Sequence, residues 1–154
     1  MRPMNQSPEQ LMLDARYRVL VILWFAMLGS VVMFFVITKI TGTPKAAEAN
    51  MTLVSIFMAL GLFTIGLSFV LKRRLLSQAI ERQRPDLVQT GLIVGMALCE
   101  AAAIFGLIIF FVTGYAYYYL CFIVSLAAML LHFPRREHLR AASFKSARPG
   151  FMMQ

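Results

Sequence analysis

Apolar positions along this chain gather into four long runs, residues 19–38, 51–71, 87–112 and 115–133, with short polar stretches between them. Each run approaches or exceeds the ~20 apolar residues that carry a helix across a bilayer. None alternates apolar and polar residues as a half-buried strand does. A backbone in lipid must satisfy its own hydrogen bonds, so each run is expected to be a helix. The pattern predicts an all-α integral membrane protein, a four-helix bundle in up-down order. It divides the chain into an N-terminal interfacial segment (1–15), a four-span membrane domain (16–133) and a basic tail (134–154).

Local signals refine the ends of the runs. Ser7-Pro8-Glu9-Gln10 has the form of a helix start, with Ser as cap and Pro at the first helical position, and predicts a short interfacial helix before span one. Thr43-Pro44 and Asn50 supply turn and cap chemistry before span two. Asn50-Met51-Thr52 has the form of a glycosylation acceptor, but it abuts the membrane and reads as a cap. Leu75, Leu76, Ala79 and Ile80 keep helical spacing and extend span two beyond Leu71. The polar stretch from Glu81 to Asp86 then reverses the chain. Thr113-Gly114 predicts a tight hairpin between spans three and four, and Tyr115, Tyr117, Tyr118 and Tyr119 beside it read as an interfacial aromatic belt.

Composition narrows the picture further. With 60% hydrophobic and 14% charged residues the chain is no soluble globular domain, and four spans leave almost nothing for a separate one. The net charge of +8 could suggest nucleic acid, yet the positions of the basic residues follow the membrane. All of the 15 lysines and arginines except Lys39 and Lys45 precede span one, lie between spans two and three, or follow span four. This is the positive-inside pattern and puts both termini and the 72–86 loop in the cytoplasm. The basic segments should attract anionic lipids, and without interleaved aromatics they are not a nucleic-acid surface. The expected location is a membrane of the bacterial inner, cytoplasmic type. Span one lacks a small-residue cleavage pattern and reads as a retained span. Counted from the Gly114 turn, Cys99 and Cys121 differ in depth by ~12 Å, too far for a disulfide.

One residue breaks the apolar pattern where it costs most. Glu100 lies in the middle of the third run, where a charge costs ~3 kcal/mol on insertion scales. Burial disfavours the charged form of an acid, so such a side chain serves either as a proton or ion site or as a neutral hydrogen-bonding group. For the second role the expected partners are Thr64 or Ser68 of span two, or Ser125 of span four. A stripe of small residues, Gly91, Gly95 and Cys99, continues to Ala102, Ala103 and Gly106, and small residues at four-residue spacing let membrane helices approach closely. Span three should therefore pack tightly against another helix, in this chain or in another copy.

The segment Gln89-Thr90-Gly91-Leu92-Ile93-Val94-Gly95-Met96-Ala97-Leu98-Cys99-Glu100-Ala101-Ala102-Ala103-Ile104-Phe105-Gly106-Leu107 resembles the carboxylate-bearing helix of the rotary ATP synthase c subunit, the proteolipid. That family carries its proton- or sodium-binding Glu in a segment of the type Ala-Leu-x-Glu-Ala-x-Ala-Ile-Tyr/Phe-Gly-Leu. Its polar loop carries Arg-Gln-Pro, which Arg82-Gln83-Arg84-Pro85 resembles, with Arg84 inserted. The resemblance covers about residues 55–112 and is specific at 89–107. It implies Glu100 as the proton site, and Arg82, Gln83 and Pro85 as the loop that meets a partner subunit. Spans one and four have no counterpart in the two-helix form of the family.

Other side chains offer less. His132 and His138 both lie at the cytoplasmic end, cannot bracket a haem and read as interfacial anchors. Asp14, Glu81 and Asp86 sit among basic residues as surface charge pairs. The 11 methionines form no stripe and read as gap-fillers. Trp24 falls just inside the cytoplasmic boundary. The sequence has no nucleophile–base pair, phosphate loop or metal-ligand spacing, so neither a cofactor nor a stand-alone active site is expected. Two function classes follow. One is a proteolipid-like subunit whose Glu100 binds and releases protons. The other is an accessory subunit, packed against other membrane subunits or copies of itself, whose neutral Glu100 is a hydrogen-bonding group.

Overall fold

The computed structural model describes residues 8–42, 50–82 and 84–137. They form four helices, α1 (Pro8–Thr41), α2 (Met51–Arg82), α3 (Pro85–Thr113) and α4 (Tyr119–Leu131), with no strand among the described residues. The first three are long and apolar enough to cross a membrane. Their outward faces are oily: Ile22, Phe25, Met33, Leu62 and Phe63 are all well exposed. An apolar surface that continuous suits lipid, not water.

The helix ends follow the local chemistry. The Asn50 side-chain oxygen accepts from the backbone N–H groups of Thr52 and Leu53 at 3.2 and 3.3 Å, so Asn50 caps α2. Gly114 ends α3 in the left-handed conformation, φ 61°, and its N–H donates to the Phe110 carbonyl. Past Leu71, α2 runs on to Arg82. α1 continues unbroken from Pro8 through the membrane run, so the expected short interfacial helix is instead the first turns of one 34-residue helix. Ser7, Lys45, Gln83 and His138 lie outside the described residues.

α4 is shorter than its apolar run. Its 13 helical residues rise ~20 Å, against ~30 Å for the hydrocarbon core. Tighter turns extend it at both ends. Tyr118 N–H donates to the Tyr115 carbonyl and Cys121 N–H to the Tyr118 carbonyl, while Phe133 N–H donates to the Leu130 carbonyl.

α3 is the centre of the fold, as a helix that is apolar on nearly every side should be. It packs on α1, α2 and α4, whereas α1 and α2 make no contact among the described residues. The glycines of α3 and α2 set the spacing. A Cβ on Gly61 would sit 3.9 Å from Ala102, and one on Gly91 would meet the Leu75 Cβ at 3.0 Å. One on Gly95 would stand 2.7 Å from the His132 ring, and one on Gly106 would stand 2.8 Å from the Cys121 Cβ. The small-residue stripe is thus occupied inside the chain, by α2 on one side and α4 on the other. α1 lies on a further side of α3 and also packs against the α4 segment, through edge-to-face pairs of Trp24 with Phe133 and Phe35 with Phe122.

Candidate functional site

Two ion pairs mark one end of the helices. Arg16 of α1 meets Asp86 of α3 at 2.5 Å, and Arg136 meets Asp14 at 3.4 Å while stacking on the Tyr17 ring. Arg16 and Asp86 fix the register of α1 against α3, and two parallel helices keep that register as they rise together. Fourteen residues on from each, ~21 Å deeper, stand Ser30 and Glu100. The Ser30 hydroxyl is hydrogen-bonded to Glu100 Oε1.

Ser30 replaces the partners expected from sequence. Thr64 turns its hydroxyl to the Gly61 carbonyl of its own helix. Ser68 donates to the Ile65 carbonyl, and Ser125 to the Cys99 carbonyl at 2.6 Å. None of them faces Glu100, because α2 and α4 lie against other sides of α3. The carboxyl is half-buried beside α1. Next to it Ala97, Ile104 and Phe111 run along α3 as an exposed line, between the side that meets α1 and the Phe105 side, where Phe57 of α2 packs.

Ser30 Oγ also lies 2.8 Å from the Met27 carbonyl, which can only accept. A hydroxyl has one proton. When Ser30 gives it to Met27, a hydrogen bond to Glu100 requires the carboxyl to carry a proton of its own and donate it. When Glu100 is ionised, Ser30 can turn its proton to the carboxylate. The same pair of side chains thus has a satisfied arrangement for each protonation state of the acid.

One residue away on α3, Cys99 points to a different side, ~100° round the helix, and joins a second polar group. Its Sγ lies 3.6 Å from Ser68 Oγ and 3.9 Å from His132 Nδ1. His132 is fully buried against Gly95 and stacks 4.7 Å from the Phe69 ring, so it is a core residue and not the interfacial anchor its position suggested. Its Nδ1 lies 2.8 Å from the Ala128 carbonyl and must therefore hold the ring proton, while Nε2 has no hydrogen-bond partner. Only a glycine at position 95 leaves room for this ring, a pairing that runs of hydropathy do not reveal.

The remaining candidates scatter. Asp14 and Asp86 form the surface pairs expected of them, and Glu81 accepts from Ser77 at 3.5 Å. Trp24 is buried, its Nε1 donating to the Met129 carbonyl at 2.9 Å. Tyr117 is exposed while Tyr118 is buried against Phe110, so the tyrosine cluster is part surface and part core. Cys99 and Cys121 are free thiols. Arg82 and Arg84 are exposed at the turn between α2 and α3. No metal-ligand cluster occurs among the described residues. No family model matches the chain, and searches of curated proteins and of solved structures return no match.

Proposed function

We propose that this chain is a multi-span membrane subunit whose Glu100 binds and releases a proton within the bilayer. The observation that carries the reading is the Glu100–Ser30–Met27 arrangement, which serves the acid in both protonation states. An acid that only held helices together would need one arrangement. The resemblance of residues 89–107 to the proteolipid helix supports the same role. In this reading the chain runs up-down-up-down with both ends in the cytoplasm, as the basic residues indicate, in a membrane of the bacterial inner type. It works beside other membrane subunits or copies of itself, with Arg82, Gln83 and Pro85 at the contact loop.

A second reading, an accessory subunit with a structural Glu100, is favoured by one feature. The glycines of α3 are filled by Leu75, His132 and Cys121 of the same chain, so the tightest helix face is not left for a ring of copies.

Substitution separates the two. Glu100→Gln keeps the shape and the hydrogen-bonding capacity but cannot exchange a proton. In reconstituted vesicles it should abolish proton-linked activity while the protein stays folded, and Glu100→Asp should retain part of it. Full activity in Glu100→Gln eliminates the proton-carrier reading.

A further inference from the structure

Lys72 ends the apolar part of α2, and its Nζ donates to the Leu131 carbonyl at the end of α4, at 3.1 Å. Arg135 follows four residues after Leu131, just beyond α4, and is exposed; its positive charge opposes that of Lys72. Neither belongs to an ion pair among the described residues, where the acids paired are Asp86 and Asp14. Two cations brought together at one helix junction repel each other, and an anion between them relieves the repulsion.

A groove lies between α2 and α4 two turns, ~10 Å, deeper than that junction. Its floor is Ala102 of α3, and Met58, Gly61 and Ile65 of α2 face Cys121 and Val124 of α4 across it. No charged side chain lines it. Gly61 keeps it open, because a side chain there would fill the space above Ala102. Ile65 and Lys72 lie on one face of α2, two turns or ~10 Å apart, and Gly61 is ~16 Å from Lys72. One leaflet of a ~30 Å hydrocarbon core is ~15 Å deep.

We propose that Lys72, Arg135 and the α2–α4 groove form a binding site for one anionic phospholipid, with its phosphate between the two cations and an acyl chain along the groove. The charge pair accounts for the headgroup's sign, and the groove's depth and apolar lining account for the chain. Glu100 takes no part, since it faces α1 on another side of α3. The site differs from a general basic belt in having two named cations above one groove.

The test is native mass spectrometry of the full chain in detergent, titrated with phosphatidylglycerol or phosphatidylcholine. The wild type should retain phosphatidylglycerol preferentially. Lys72→Gln and Arg135→Gln should each weaken that retention about fivefold, with phosphatidylcholine unchanged. Val124→Phe, which fills the groove from its exposed wall, should weaken retention of both lipids. Arg73→Gln with Arg74→Gln should have little effect, and inorganic phosphate at the lipid's concentration should not displace it. Helical circular dichroism and a single elution peak verify that each variant is folded. Wild-type retention in the Lys72→Gln, Arg135→Gln double variant overturns the site. Equal loss in the Arg73, Arg74 variant reduces it to a diffuse belt, and an unaffected Val124→Phe variant removes the acyl chain from the groove.

Discussion

Ser30 and Glu100 occupy the same level of α1 and α3, in the register that Arg16 and Asp86 set at the helix ends. The pair is the one side-chain hydrogen bond joining α1 to the body of α3 at mid-depth among the described residues. Ser30→Ala should leave the carboxyl without that partner and loosen α1. The expected cost is ~0.5–2 kcal/mol, since hydrogen bonds between membrane helices average well under the cost of a stranded polar group. Denaturant titration in mixed micelles measures it. A Ser30→Ala, Glu100→Ala cycle should show non-additivity, because the second change removes a group already unpaired.

Gly95 faces the His132 ring too closely for any side chain. Gly95→Leu should push α4 away from α3 and cost ~1–3 kcal/mol by overpacking. Combining it with His132→Ala should recover part of the loss, because the alanine vacates the space the leucine needs. Thermal unfolding followed by circular dichroism reads both variants, and no recovery in the double variant means that the strain falls elsewhere.

The register also makes a statement about sidedness. Glu81, near the arginine-rich end, and Thr41, at the far end of α1, should lie on opposite sides of the membrane. A Thr41→Cys variant should react with an impermeant thiol reagent applied to intact cells, and Glu81→Cys should react only after permeabilisation. The native cysteines are buried and give little background. Labelling of Glu81→Cys in intact cells reverses the orientation.

Most of the fold was legible because membrane helices are written in long apolar runs, and turn residues mark their ends: Asn50 caps α2 and Gly114 stops α3 as their chemistry requires. The length of α4 was not, since hydropathy does not distinguish α-helical turns from the tighter ones around Tyr118. Glu100 stood out because one acid in an apolar run is conspicuous. Its partner was missed although depth counting reaches it: Arg16 and Asp86 share a boundary, so Ser30 and Glu100 share a level. The burial of His132 was hidden because it depends on the missing side chain at Gly95, a relation between two helices that neither run contains.

The central claim is that Glu100 exchanges a proton inside the membrane, and a hydrophobic carbodiimide tests it most directly, since it enters from lipid and reacts with a protonated carboxyl. Labelling of the purified protein in lipid should be followed by peptide mass spectrometry across a pH series. The account predicts modification at Glu100, fading as pH rises and absent from Glu100→Gln. It also predicts a different pH profile in Ser30→Ala, which lacks the hydroxyl that adjusts to both states of the acid. No modification of Glu100 at any pH, or modification that does not change with pH, contradicts it.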